Sequence, residues 1–338
     1  MKRRSFLAPV AGAVLGAAAA CSRRARRSPG HIRVSYNEEV TLAPFFIALE
    51  GGYFTEYGLE IEPVVFRGSQ SAPLLAGGEL DAAFGVLSPT FVNAIVRGGK
   101  AAIVAGRARA TEACGDLAIL LGRRDAFPNG IDDPHYLVGK RLALGRTTST
   151  SAFAADLHMR SAGLSLDDVS VVYMPFQEAV SAFASGAVDA AVLVNDLHDD
   201  VNVFRDITVR GPGIGHYIPG YQYTFVLFGR RLLEADPQYG GAFLAAYLRG
   251  DREFVRGKLP RFTLDLAAKE HLELPHITPQ CRYAYSPRGE IDRRSVQALL
   301  EWMLRNKFVT DPIQLGQLID ERFLRVAHGL LHDEDLPG

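Results

Sequence analysis

The sequence predicts an α/β protein of two similar lobes, each a mostly parallel sheet flanked by helices, with a cleft between them. Three observations carry this expectation. From Ile32 onward, short apolar runs alternate with stretches of helical spacing, as parallel sheets with crossover helices require. The alternation restarts after about residue 110. And Gly78-Glu79-Leu80-Asp81-Ala82-Ala83-Phe84-Gly85-Val86 is echoed by Gly186-Ala187-Val188-Asp189-Ala190-Ala191-Val192-Leu193-Val194, each copy following a strand and an amphipathic helix. At 338 residues, 48% apolar and 22% charged, the chain has the material for two sizeable cores and lacks the composition of a disordered one.

In the first series, Ile32–Tyr36 reads as a strand, and a helix begins at Pro44, where no useful donor is lost, and runs to Gly51-Gly52. A strand over Leu59–Phe66, a helix over Gln70–Ala76, a strand over Leu80–Val86, a helix over Pro89–Val96 and a strand over Ala101–Gly106 follow. In the second series, Leu117–Leu121 and Arg141–Leu144 read as strands and Ser151–Ser161 as a helix. Val169–Met174, a helix through Val180 and Phe183, and Ala187–Val194 complete it. Gly211-Pro212-Gly213-Ile214-Gly215 leads through His216–Tyr221 into a strand at Gln222–Phe228. It reads as a crossover and not a phosphate loop, which needs a helix immediately after it. From Arg230 the pattern is helical: Phe243, Tyr247 and Phe254, then Val296, Leu299, Leu300, Met303 and Leu304. Lobe I is expected over 31–110 and 218–338, and lobe II over 111–217.

The first 30 residues follow other rules. Arg3-Arg4 precede Phe6-Leu7, an apolar run spans Ala8–Ala20, and small residues stand directly before Cys21. This is a secretory signal over 1–21, with a twin arginine that suits export of folded cargo and a lipobox that would make Cys21 the lipidated first residue. The run is shorter than the roughly 20 residues of a membrane-spanning helix. Residues 22–30 form a basic tether. Residues 1–30 hold seven basic side chains and no acid, leaving 30 basic against 38 acidic groups, a net of −8, in the body. An acidic body argues against nucleic acid as a partner. Cys114 and Cys281 are the other cysteines, and nothing in their spacing decides whether they pair.

Catalytic signatures do not emerge. There is no Gly-x-Ser-x-Gly elbow, Cys-x-x-Cys pair, His-Glu-x-x-His or Walker loop, so no catalytic residue, metal site or cofactor is expected. His328 and His332 are four apart, and His271 and His276 flank Pro275; neither pair makes a convincing metal site. Asp81 and Asp189 stand at the entry ends of their strands, whereas open parallel sheets bind ligands beyond the carboxyl ends. They read as residues that tie down turns.

The exit ends carry the candidate ligand site: Asn37, Ser69 and Gln70, Ser88, Pro89 and Thr90, and Arg107 in the first series, and Thr148, Ser149 and Thr150 with Asn195 and Asp196 in the second. Short hydroxyls also cap helices, so their shared position is the signal. Thr148–Ser151, with Arg146 before it, opens a helix and suits an anion. Pro44, Phe45 and Tyr221 add aromatic or rigid contacts; with Tyr36 and Tyr223 they equally suit a flat heterocycle.

Several segments resemble a known family. Ala43-Pro44-Phe45-Phe46-Ile47-Ala48, Gly52-Tyr53-Phe54-Thr55-Glu56-Tyr57-Gly58-Leu59-Glu60-Ile61 and Leu75-Ala76-Gly77-Gly78-Glu79-Leu80-Asp81 in the first half carry the likeness. Gly139-Lys140-Arg141-Leu142-Ala143 and Ala182–Ala191 add the second. They are similar to the periplasmic solute-binding proteins that serve ABC importers of nitrate, sulfonates, taurine and thiamine-type pyrimidine precursors. The resemblance implies a two-lobe, type II periplasmic-binding-protein fold, a monomer that is free or lipid-tethered outside the cytoplasmic membrane, and delivery of a small solute to an ABC permease. It further implies that the exit-end residues touch the ligand. Many relatives have a Glu-Pro step where this chain reads Val194-Asn195-Asp196, and the cysteine-rich motif of yeast-type pyrimidine synthases is absent, so substrate identity does not carry over. Ligand-driven closure is expected, with hinges at Ala108–Asp116 and Gly211–Tyr221. A solute-binding sensor or adaptor, and an exported enzyme on the same scaffold, are the alternatives.

Overall fold

A computed structural model describes residues 30–66, 70–110, 118–193, 205–269 and 284–331. Among the described residues, twelve strands form two five-stranded sheets and one two-stranded ribbon. The first sheet is built from β1 (His31–Tyr36), β2 (Glu60–Val65), β3 (Ala82–Val86), β4 (Ala101–Gly106) and β11 (Thr224–Gly229), in the order β2-β1-β3-β11-β4. The second is built from β6 (Ile119–Arg123), β7 (Arg141–Leu144), β8 (Ser170–Tyr173), β9 (Ala190–Leu193) and β10 (Thr208–Arg210), in the order β10-β6-β9-β7-β8. Among the described residues no helix is long and apolar enough to cross a membrane.

The two sheets are the same construction. In the first, β1 pairs parallel with β2 and β3, while β11 runs antiparallel between β3 and β4. In the second, β7 pairs parallel with β8 and β9, and β6 runs antiparallel between β9 and β10. The internal echo of the sequence is therefore an echo of topology. Each sheet is mostly parallel, as expected, with one reversed strand in the same place. That strand is in each case the first after the chain crosses from the other sheet.

Thirteen described helices flank these sheets: α1 (Ala43–Glu50), α2 (Tyr53–Glu56), α3 (Ser71–Gly77), α4 (Pro89–Val96), α5 (Thr150–Ser161), α6 (Phe176–Ser185), α7 (Ile214–Tyr217), α8 (Arg230–Glu234), α9 (Pro237–Val255), α10 (Arg261–Lys269), α11 (Arg293–Arg305), α12 (Leu315–Leu318) and α13 (Arg322–Leu330). Their starts follow from the sequence. Ser88, Ser149, Asp236 and Asp292 each accept a backbone N–H of the first turn, and Pro follows Ser88 and Asp236. Helices α3 and α6 both end on a left-handed glycine, Gly78 at φ 77° and Gly186 at φ 78°, a conformation that costs a side chain energy. The glycine stretch 211–215 behaves differently from expectation: Ile214–Tyr217 forms a single helical turn.

An aromatic layer packs one face of the first sheet, where Phe84 meets Phe45 at 4.9 Å and Tyr247 at 5.3 Å between ring centroids. Helix α9 reaches it by pressing on α1, and a Cβ on Gly250 would stand 2.1 Å from the Pro44 carbonyl oxygen. Helices α9 and α13 complete this layer. Helix α11 packs elsewhere: Trp302 lies against Phe153 of α5 at 5.3 Å, and Arg305 reaches Asp156 at 3.3 Å. One helix of the C-terminal span thus packs on α5, a helix that flanks the second sheet.

Where the chain passes between sheets, β5 (Ala108–Arg109) pairs with β12 (Ala284–Tyr285). Buried Gln222 braces this region: its Nε2 donates to Glu290 O at 3.1 Å, its Oε1 accepts from Asp292 N at 2.8 Å, and its own N–H donates to Ser295 Oγ at 2.9 Å. Three segments meet here, one more than the two hinge segments expected from sequence.

Candidate functional site

The carboxyl ends of β1, β3 and β4 and the amino end of antiparallel β11 meet at one pocket of about 140 Å³. Its polar lining is Asn37, Glu39, Ser71, Ser88, Arg107 and Thr224; Leu42, Ala72, Phe84, Val86, Phe91 and Leu227 supply apolar walls. Ligands of open α/β sheets settle beyond strand carboxyl ends because loops and helix starts converge there.

Arg107 dominates the electrostatics. It is 3% exposed, its Nη2 donates to Thr41 O at 2.7 Å and its Nε to Tyr247 Oη at 3.3 Å, and its guanidinium lies 5.0 Å from the Phe84 ring centre. Burial opposes its charge, yet Tyr247, Tyr285 and Glu39 together raise its pKa above the ordinary arginine value. Arg107 is therefore a fixed cation in a largely apolar wall. Glu39, at the mouth, accepts from Asn37 Nδ2 at 3.1 Å and Thr41 Oγ1 at 3.2 Å. Thr224 Oγ1 accepts from Ala108 N at 3.1 Å, and Ser88 Oγ accepts from Phe91 N at 3.3 Å. Both hydroxyls cap backbone donors and still face the pocket.

Behind this wall lies Asp251, fully buried on α9, one turn after Tyr247. Neither carboxylate oxygen has a hydrogen-bond partner. Burial pushes its pKa up to about 7 against the opposing pull of Arg107 and Arg252.

Of the expected site residues, the pocket gathers Asn37, Ser88 and Arg107. Gln70 is exposed beside Ser71, and Thr90 is exposed on α4, while Pro89 is buried as its first residue. Pro44 and Phe45 are buried in α1 and do not line the pocket; Phe45 is held by Phe46, Phe54 and Phe84. Tyr221 is 1% exposed and packs on Phe153 at 5.8 Å, so it is core rather than pocket lining. Thr148, Ser149 and Thr150 stand at the start of α5 beyond the carboxyl end of β7. Ser149 Oγ accepts from Ala152 N at 3.2 Å and shares a hydrogen bond with Ser151 Oγ at 2.8 Å, whereas Thr148 is exposed. Ser69, Asn195, Asp196 and Cys21 lie outside the described residues, as do Cys114, Cys281, His271, His276 and His332. His328 Nε2 bonds the Arg288 carbonyl at 2.7 Å. Glu39, Ser71 and Thr224 were not singled out from sequence. Thr224 escapes because it opens a strand, and only a reversed strand has its start at this end of the sheet.

Residues 26–198 match the model of the NMT1-like family. The chain belongs to that family. A Brucella abortus (strain 2308) protein bearing the provisional name of a binding protein is 32% identical over 277 residues, 80% of this chain and 79% of its own length. The fold is that of periplasmic binding proteins. The aliphatic sulphonate binding protein SsuA of Escherichia coli superposes with a TM-score of 0.67 at 18% identity, covering 87% of this chain and 92% of its own. The nitrate-binding protein NrtA of Synechocystis PCC 6803 does so with a TM-score of 0.65 at 14% identity, covering 91% of each chain. These neighbours are binding proteins, and the expected two-lobe α/β architecture is theirs.

Proposed function

We propose that this chain is the solute-capturing component of an ABC importer, exported, tethered through lipidated Cys21, and working as a monomer that hands its ligand to a membrane permease. Lobe I comprises 31–110 and 218–338 and lobe II 111–217, with α11 spanning onto the second lobe, and the segments around Ala108 and Gly211–Tyr221 act as hinges. The ligand is a small organic anion. The single observation that carries this is Arg107: a permanently charged side chain, 3% exposed, at the wall of a pocket where Ser71, Ser88 and Thr224 bring hydroxyls. Desolvating a cation is costly unless something anionic repays it. The apolar walls favour an organic body over a bare inorganic ion. Thr148–Thr150 and Asn195-Asp196 of the second lobe contribute when the lobes close, and no reaction follows capture.

A thermal-shift screen of the mature chain against alkanesulfonates, carboxylates, nitrate and neutral pyrimidines tests the reading. Stabilisation by organic anions and not by neutral heterocycles is the expected result. A response to heterocycles alone would overturn the anion assignment, and turnover of a bound compound would overturn the role as binder.

A further inference from the structure

Helix α9 brings a carboxyl group to the back of the pocket with nothing to hold it. Asp251 is fully buried, and both its oxygens lack a hydrogen-bond partner. Buried polar groups are nearly always paired, so an orphaned carboxylate calls for a reason. Its surroundings supply one. Tyr247, one helical turn earlier, holds the Nε of Arg107, and Arg107 and Arg252 are the charged groups that act on Asp251. Among the described residues, the charged groups on the helices packed on α9 are engaged elsewhere or exposed: on α8, Arg231 pairs with Asp81, Glu234 pairs with Lys100 and Arg230 is exposed, as is Arg325 of α13. Glu50 of α1 accepts from the N–H groups of Arg261 and Phe262, and Glu56 of α2 pairs with Arg249. On α13, His328 bonds Arg288 O and Arg322 pairs with Asp320. Glu39, which lines the pocket, and Tyr285, which packs on Phe254 of α9, act on Arg107.

We propose that Asp251 is a positioning residue for the anion site: acting through Arg107 and Tyr247, it holds an anionic ligand tightly when its carboxyl carries a proton and loosely when it does not. The inference rests on the anion-binding reading of the pocket and adds the regulation of that site. An ionised Asp251 partly neutralises the Arg107 field that the ligand feels; a protonated one leaves that field whole. By linkage, a bound anion makes Asp251 easier to protonate, so binding takes up protons. With the carboxyl titrating near pH 7, the change falls within the range an extracytoplasmic protein meets. A ligand that shifts Asp251 by about one pKa unit loses about tenfold in affinity across the titration.

Calorimetry on the mature chain with ethanesulfonate as probe, from pH 6 to pH 8.5, tests this. In buffers of different ionisation enthalpy the wild type should take up a fraction of a proton on binding near pH 7, and its affinity should fall severalfold as pH rises. Asp251→Asn should bind with pH-independent affinity close to the wild-type value at pH 6 and take up no proton. Because proton uptake is read on the wild type, the result does not depend on the variant folding. Binding with flat affinity and no proton uptake would overturn the role of Asp251 while leaving the anion site standing. No binding of ethanesulfonate at any pH would overturn both.

Discussion

Asp81 and Asp189 make the same contact in the two sheets. Asp81 Oδ2 accepts the backbone N–H of Arg33 at 2.8 Å, and Asp189 Oδ2 accepts that of Arg141, also at 2.8 Å. In return each aspartate donates its own N–H to the carbonyl of that arginine, at 3.0 and 2.9 Å. Each follows a left-handed glycine by three residues, so helix end, turn and strand start are fixed as one unit. The carboxylates tie down strand entries, far from the ligand end.

The two contacts differ in burial, and so should their energies. Asp81 is fully buried and paired with Arg231 at 2.7 Å, whereas Asp189 and its partner Arg141 are partly exposed. Asp81→Asn leaves a cation without its partner and should cost about 3 kcal/mol. Asp189→Asn should cost about 1 kcal/mol. Urea denaturation of both variants measures the difference; equal losses would contradict it.

Removing the charge of Arg107 separates ligand classes. Arg107→Gln should weaken an anionic ligand by a factor of about 10–100, since charged hydrogen bonds contribute about 1.5–3 kcal/mol. Titration calorimetry reads this directly, and an unchanged affinity would move the anion away from Arg107.

Burying Asp251 should leave a signature in stability. A carboxyl whose folded pKa is raised to about 7 stabilises the fold, relative to its ionised state, at low pH and loses that contribution as pH climbs from about 4 through 7. Asp251→Asn should therefore be more stable than wild type at pH 8, by roughly 2–4 kcal/mol, and much closer to it at pH 4. Denaturation at the two pH values measures the change in sign or size.

His158 acts in the opposite direction. Its Nδ1 lies 2.6 Å from the Tyr217 hydroxyl, joining α5 to α7, and burial lowers its pKa to about 4. The neutral ring is fully favourable above about pH 6.5, and its contribution is lost as pH falls through 4, a difference of roughly 2–3 kcal/mol. His158→Gln should flatten this part of the acid limb in a pH series of melting temperatures.

Much of the architecture was legible in the sequence, for physical reasons. Alternating apolar runs and helical patterns report elements, and the glycine-to-aspartate spacing reports a repeated turn because each glycine closes its own helix, Gly78 N–H donating to Leu75 O and Gly186 N–H to Phe183 O, whereas the aspartates' partners are distant in sequence. Strand direction is not written in an apolar run, so the reversed β6 and β11 were invisible, and with β11 went Thr224. Phe45 and Tyr221 could not be sorted between core and cleft, because an aromatic satisfies either. Arg249-Gly250-Asp251-Arg252 gives no reading from the sequence, because a run of charges around a glycine carries no mark of burial. In the fold Arg249 pairs with Glu56 at the surface, while Gly250 lets α9 sink against α1 and carries Asp251 and Arg252 inside.

In the proposed function two lobes close over an anion held at Arg107. Small-angle scattering of the mature chain, without ligand and saturated with the best organic anion from the thermal-shift screen, measures this most directly. The radius of gyration should fall on saturation in the wild type and stay unchanged in Arg107→Gln at the same concentration. A wild type that binds the anion with no compaction would contradict closure.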